Sequence, residues 1–263
     1  MRLLREFIPA LVFLVGSRRQ LGRFGPGRLA GAGWRLMLLG AALGLGFVGL
    51  WELTYRLSRP HLTHGVVTAQ TCAAVACAVA WVALTYRRGF LSLIKIIAGP
   101  RRRIQWPGLV GVVAAWAALL SYAVRYWNPD WPTHLPAAAA WLWPRALYRV
   151  ILLAPVWGSW SMVVLGKFHA STAKTDPYPQ ALADGTSPVA AAALLALPLA
   201  GSFIYLMFLA QPLRFVPPAA AILAALGGGA LAIRIRGRLC REALLAANVL
   251  TQSAFLLAYL TVR

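Results

Sequence analysis

Seven runs of about 20 mostly apolar residues divide this 263-residue chain, and they constrain its fold more than any motif does. With 60% hydrophobic residues and a mean hydropathy of +0.68, the chain is too apolar for a soluble domain of this size. We therefore predict a single membrane domain over 1–263, an all-α polytopic bundle of about seven transmembrane helices. The predicted spans are roughly 33–53, 65–86, 107–127, 146–166, 188–210, 216–233 and 243–261.

Two further apolar stretches, 3–16 and 89–99, are too short to cross a bilayer. The first begins with arginines, as a signal peptide does, but Ser17, Arg18 and Arg19 follow it where a cleavage site needs small residues. We expect both stretches to be short interfacial or re-entrant helices.

Positive charge gathers on one side of the predicted spans. Of the 26 Lys and Arg residues, 19 lie in 1–35, 87–106, 167–187 and 234–242, and the other seven lie in the alternate segments. Short cytoplasmic loops carry an excess of Lys and Arg. We therefore predict a multi-pass protein of the cell (inner) membrane with its N-terminus in the cytoplasm.

The net charge of +20 limits the choice of partners. We expect no nucleic-acid partner, because the chain has no polar domain to bind one. A face that carries Arg87, Arg88 and Arg241 would attract membrane lipids with anionic headgroups, or a phosphorylated or nucleotide-linked small molecule. The competing interpretation is that these arginines only fix the topology and contact lipid headgroups.

Motifs for metal or covalent chemistry are scarce in this sequence. Only six residues are acidic, and Glu52 alone falls inside a predicted span. His61 and His64 are three residues apart with no Cys or carboxylate beside them, so a structural role is favoured over a metal site. The three cysteines predict no disulfide framework.

Several segments, in the same order along nearly the whole chain, resemble the cobalamin synthase family, the adenosylcobinamide-GDP ribazoletransferases. The stretch "APVWGSWSMV" at 154–163 is similar to the family's "APVLGRWAMV". The stretch "GRLCREALLAANVLTQSAFLL" at 237–257 is similar to "GGVTGDTLGAANELTEAAVLL", and it includes Asn248. The resemblance implies a membrane enzyme that joins α-ribazole, or its phosphate, to adenosylcobinamide-GDP with Mg²⁺ as cofactor.

The departures from the family fall on its chemical groups. Its metal motif, approximately "LTGGLHLDGLADTADG", stands here as "LTYRRGFLSLIKIIAG" at 84–99, so every Asp is missing. Ser159 replaces an Arg of the family, and Gln252 replaces a Glu. Because Mg²⁺ prefers carboxylate oxygens, we expect that it is not bound here in the family manner.

Three functions therefore stay open. The first is a cobalamin-synthase-like membrane protein whose family activity is lost or altered. The second is an active transferase with a rebuilt site, in which Glu242 is the catalytic carboxylate and Asp176 and Asp184 are metal ligands. In that site the resemblance and the charge pattern suggest substrate or phosphate binding by Arg87, Arg88, Lys174, Arg241 and Asn248. The third is a structural subunit that binds a partner in a membrane complex.

Overall fold

The computed structural model describes residues 2–59, 65–99, 102–126, 146–169, 175–206, 209 and 212–262. These residues form a helical protein without a strand, apart from one isolated bridge between Thr175 and Leu239. The α-helices of six or more described residues, in chain order, are α1 (Arg2–Val15), α2 (Gly33–Ser58), α3 (Gly65–Ala78), α4 (Arg87–Ala98), α5 (Arg102–Tyr126), α6 (Ala146–His169), α7 (Pro177–Asp184), α8 (Pro188–Ala193), α9 (Ala196–Tyr205), α10 (Val216–Leu223), α11 (Gly229–Arg236) and α12 (Arg241–Thr261).

Seven helical segments in the described part of the chain are long and apolar enough to cross a membrane. The predicted all-α polytopic bundle is therefore confirmed, and the chain is a multi-pass membrane protein in contact with lipid. The crossing segments are Gly33–Ser58, Thr68–Thr85, Arg103–Ala123, Leu147–His169, Pro188–Tyr205, Leu213–Arg236 and Arg241–Thr261. Residues 127, 207, 208 and 210 of the predicted spans lie outside the described residues, as do His61 and His64.

Three of the spans are not continuous α-helices. In the second span, α3 passes into a π-helical segment, Val79–Thr85, which ends where the Tyr86 amide donates to the Trp81 carbonyl at 2.8 Å. Another π-helical segment, Ala224–Gly228, joins α10 to α11. The break between α8 and α9 precedes Pro198, because a proline in the first turn of a helix cannot donate to the preceding turn.

Helix α6 lies at the centre of the bundle. In its apolar window 89% of the residues are buried, against 17% for α5, so α6 is surrounded by protein and α5 mostly by lipid. Helices α2 and α12 both pack on α6 where small residues allow a close approach. A Cβ atom on Gly44 of α2 would lie 2.5 Å from the Leu152 carbonyl oxygen, and one on Gly158 would lie 2.7 Å from Gln252 Nε2.

Both short apolar stretches form helices beside the spans. The stretch 3–16 corresponds to α1, which is held to α2 by an ion pair between Glu6 and Arg35 at 2.8 Å and by edge-to-face packing of Phe7 on Trp34. The stretch 89–99 corresponds to α4, a strongly amphipathic helix that connects the second span to the third.

Candidate functional site

The positively charged residues lie mainly at the end of the bundle where the second span and α6 finish and α12 begins, called the basic end below. Four segments of the chain lie at this end: the segment before α2, the connection between the second and third spans, the segment after α6 and the segment before α12. Contacts between distant segments hold it together. The Tyr178 hydroxyl donates to the carbonyls of Leu21 and Phe24, and the Asp176 amide donates to the Leu239 carbonyl.

Among the arginines of the basic end whose side chains the structure describes, Arg241 is the most buried, with 4% of its surface exposed. It begins α12, and its guanidinium donates hydrogen bonds to the main-chain carbonyls of Val12, Phe13 and Gly16. These carbonyls end α1, and a helix leaves its last carbonyls without partners within the helix. Arg241 therefore caps α1, while its predicted role in binding phosphate stays a prediction.

Two other cations also meet the carboxyl ends of helices. Lys167, near the end of α6, donates to the Ala183 carbonyl in the last turn of α7 at 3.2 Å. Arg149, near the start of α6, donates to the Tyr205 carbonyl at the end of α9 at 3.3 Å. The negative end of a helix dipole favours a cation, so these charges stabilise helix ends.

Arg87 and Arg88 are exposed at the start of α4, immediately after the second span. The Arg87 guanidinium lies over the Trp106 ring of α5, 4.5 Å from the ring centroid. Two predicted phosphate ligands are thus at the surface of the basic end, where an anion can reach them. Lys174, a third, lies outside the described residues.

Asp176 and Asp184 flank α7, at its N-cap and its last residue. A rise of 1.5 Å per residue places their main chains roughly 12 Å apart, too far for both to coordinate one ion at 2.0–2.6 Å. The Asp176 carboxylate pairs with Arg238 at 3.2 Å, and Asp184 accepts a hydrogen bond from the Gln180 amide at 2.7 Å. In the ranges that the structure covers, no three His, Cys, Asp or Glu residues form a group able to hold a metal.

Glu242 lies in the first turn of α12 and is partly buried. An acidic residue there is favoured by the helix dipole, which gives Glu242 a structural role beside the predicted catalytic one. Two residues earlier, burial raises the pKa of the Cys240 thiol, and the hydrogen bond with the Ala243 amide opposes this only in part. Cys240 is therefore kept as a neutral thiol rather than a reactive thiolate.

Asn248 lies in the middle of α12 and is fully buried, away from the basic surface. Its side-chain oxygen accepts a hydrogen bond from Gln252 one turn later, and the Gln252 oxygen accepts one from the Trp81 indole N–H. Trp81 stacks on Phe47 of α2, with ring centroids 4.5 Å apart. Asn248 thus belongs to a polar cluster that joins α12 to the second span, while its predicted role in binding substrate or phosphate stays a prediction.

Sequence reasoning missed Gln252 and Trp81 as members of this cluster. The spacing of Asn248 and Gln252 offered a signal, because two amides four residues apart share one face of an otherwise apolar helix. Trp81 offered none, since it lies 171 residues from Gln252 in the sequence.

We compared the chain with known proteins on three levels. No family model, no curated protein and no solved structure matches it. In its described residues the chain presents an exposed basic surface, buried cations that cap helices, and carboxylates that lie apart from one another.

Proposed function

We propose that this chain is a cobalamin-synthase-like membrane protein in which the family's transfer reaction is lost or altered. One observation carries the proposal: the two segments that most resemble the family, 154–163 in α6 and 237–257 in α12, pack against each other at the centre of the bundle. Gly158 of the first segment faces Asn248 and Gln252 of the second, and a Cβ atom on Gly158 would lie 2.9 Å from the Asn248 carbonyl oxygen. This packing supports a shared fold.

One residue in each of these two segments supports the loss of the reaction. Ser159, where the family has an Arg, is fully buried, and its hydroxyl would lie 2.6 Å from a Cβ atom on Gly40 of α2. An arginine cannot occupy that space unless α2 moves away. Gln252, where the family has a Glu, is a neutral hydrogen-bonding partner of Trp81. Neutral groups and close helix packing thus replace two charges of the family.

The metal chemistry of the family also lacks support here. Displacement of GMP from a nucleotide-linked substrate develops negative charge on phosphate oxygens, which Mg²⁺ normally stabilises. The segment 84–99 supplies Arg87, Arg88 and Lys95 in place of the family's aspartates. Arginines can neutralise phosphate charge, but they do not hold Mg²⁺ in position or accept a proton.

The positive-inside pattern supports a location in the cell (inner) membrane with the basic end and the N-terminus in the cytoplasm. A nucleotide-linked or otherwise phosphorylated small molecule in that compartment would be attracted by the net positive charge of the basic end. A positively charged cytoplasmic end without the family's metal motif favours binding of such a molecule without turnover.

A complementation experiment tests the proposal. The chain is expressed in a bacterial strain that lacks its own cobalamin synthase and is supplied with cobinamide, with an authentic cobalamin synthase as the positive control. We expect this chain to insert into the membrane of that strain but not to restore its cobalamin-dependent growth. Growth that depends on this chain and disappears in Glu242→Gln would instead establish an active transferase with a rebuilt site.

A further inference from the structure

The connection between the second and third spans carries positive charge without any carboxylate. It comprises α4 and the first turns of α5, and we call it the basic hairpin; its described cations are Arg87, Arg88, Lys95 and Arg103. No acidic residue occurs anywhere between Glu52 and Asp130. None of the ion pairs in the described ranges includes these four cations.

Neighbouring helices add little negative charge to the basic hairpin. The segments that pack on α4 are α5, α11, α12 and the π-helical segment Val79–Thr85. Among their described residues, Glu242 of α12 is the single carboxylate. Gly89 of α4 approaches α12 closely, and a Cβ atom on Gly89 would lie 2.7 Å from the Leu245 carbonyl oxygen. Arg87 and Arg88 are exposed.

The position of the basic hairpin relative to the spans indicates how deep these charges lie in the membrane. The second span ends at Thr85 and the third begins at Arg103, so Arg87, Arg88 and Arg103 flank the ends of two adjacent spans on one side of the bundle. The stacking of Arg87 on Trp106 ties these two ends together. Arginine and tryptophan at the end of a span are typical of the headgroup region of a bilayer.

Large apolar side chains are also exposed on the basic hairpin. Ile97 of α4 is 76% exposed and Trp106 of α5 is 59% exposed, and Ile104 lies between them in the chain with a substantial exposed surface. Inorganic phosphate and small soluble phosphate esters do not need such groups. A phospholipid needs both, because its phosphate requires cations and its acyl chains require apolar contacts.

We propose that the basic hairpin binds anionic phospholipid, with Arg87 and Arg88 on the headgroup phosphate and Ile104 and Trp106 against the upper acyl chains. A phospholipid and a soluble ligand would share the phosphate group as the part that the arginines bind. The exposed apolar side chains beside the arginines favour the lipid. This inference does not depend on the proposed relation to cobalamin synthases, because it uses only charge, exposure and the ends of the spans.

Lipid binding to the purified full-length chain in detergent micelles tests the inference. Native mass spectrometry counts bound phosphatidylglycerol or phosphatidylcholine for wild type, for R87Q/R88Q and for the charge-conserving R87K/R88K. The matched control is R23Q/R28Q, which removes two exposed arginines from the segment between α1 and α2. A thermal melt of each variant confirms that it is folded.

We expect wild type and R23Q/R28Q to prefer phosphatidylglycerol. Each lost charge should weaken that binding about fivefold, or roughly 25-fold for R87Q/R88Q, and R87K/R88K should retain most of it. Excess soluble glycerol phosphate should not displace the lipid. The inference would be overturned if R87Q/R88Q and R23Q/R28Q lost phosphatidylglycerol binding equally. It would also be overturned if R87Q/R88Q kept the wild-type preference for phosphatidylglycerol, or if glycerol phosphate displaced the lipid.

Discussion

Arg241 binds the main-chain carbonyl of Phe13, a residue 228 positions earlier, through its Nε at 2.7 Å. This contact fastens the first helix of the chain to the start of the last one. The Arg241 guanidinium also lies over the Phe13 ring, 5.5 Å from its centroid. One buried cation thus satisfies the end of α1 and fixes α1 against the basic end of the bundle.

Replacing Arg241 by alanine should lower the free energy of unfolding by roughly 2–3 kcal/mol, because charge-assisted hydrogen bonds to the end of α1 are lost. Arg241→Lys should lose less, since an ammonium still caps the helix with fewer bonds. Denaturant unfolding in micelles measures both. Arg236→Ala is the control, because Arg236 is exposed and should cost less than about 0.5 kcal/mol. Equal stability of Arg241→Ala and Arg236→Ala would contradict the capping role.

The contact of α2 with α6 predicts opposite outcomes at two glycines of one helix. Gly44→Ala should destabilise the fold by about 1–3 kcal/mol, because the new methyl group meets the Leu152 carbonyl. Gly46→Ala should leave stability unchanged or slightly raised, since nothing lies within 4 Å of its Cβ position. Thermal melts of the two variants provide the comparison, and a similar loss in both would refute the assigned packing.

The polar cluster around Gln252 predicts a cost for a change that preserves size. Gln252→Leu removes the hydrogen-bonding partner of both the Trp81 indole and the Asn248 side chain, at about 1–2 kcal/mol in all. Ser253→Ala, one residue further, loses only a bond to the Val249 carbonyl of its own helix. We expect the unfolding free energy of Ser253→Ala to stay near that of wild type. A Gln252→Leu variant as stable as Ser253→Ala would show that the cluster contributes nothing.

The raised pKa of Cys240 predicts slow alkylation in the folded chain. Thiolate is the reactive form, so a raised pKa leaves little of it at neutral pH, and burial restricts access further. Peptide-resolved labelling with iodoacetamide should therefore modify Cys240 far more slowly in micelles than after unfolding, and the rate should increase as pH rises. A rate equal to that of the unfolded chain at neutral pH would contradict this burial.

The fold was accessible from the sequence because lipid imposes a strong local rule. A span must be a long apolar helix, and the runs that contain Trp51, Trp116 and Trp157 satisfy that rule without knowledge of their neighbours. The irregular segments could not be predicted from the sequence. The π-helical turns at Val79–Thr85 and Ala224–Gly228 depend on packing against other helices, and no local pattern specifies them.

The candidate site was less accessible, because charge alone does not distinguish its possible uses. Arg87 and Arg241 both belong to basic segments, yet Arg87 is exposed on Trp106 and Arg241 is buried against the end of α1. Likewise, Asp176 and Asp184 look like a pair of ligands in the sequence, but α7 separates them. These differences arise from contacts between segments far apart in the chain, which periodicity and spacing do not encode.

Under the proposed function, a cobalamin-synthase-like fold would persist here without the metal-dependent reaction. The most direct test is turnover by the purified chain in lipid vesicles, given adenosylcobinamide-GDP, α-ribazole phosphate and a titration of Mg²⁺. We predict no cobalamin phosphate above the level of empty vesicles at any Mg²⁺ concentration, while an authentic family member in the same vesicles forms it. Mg²⁺-dependent product from the wild-type chain, abolished in Glu242→Gln, would contradict the claim.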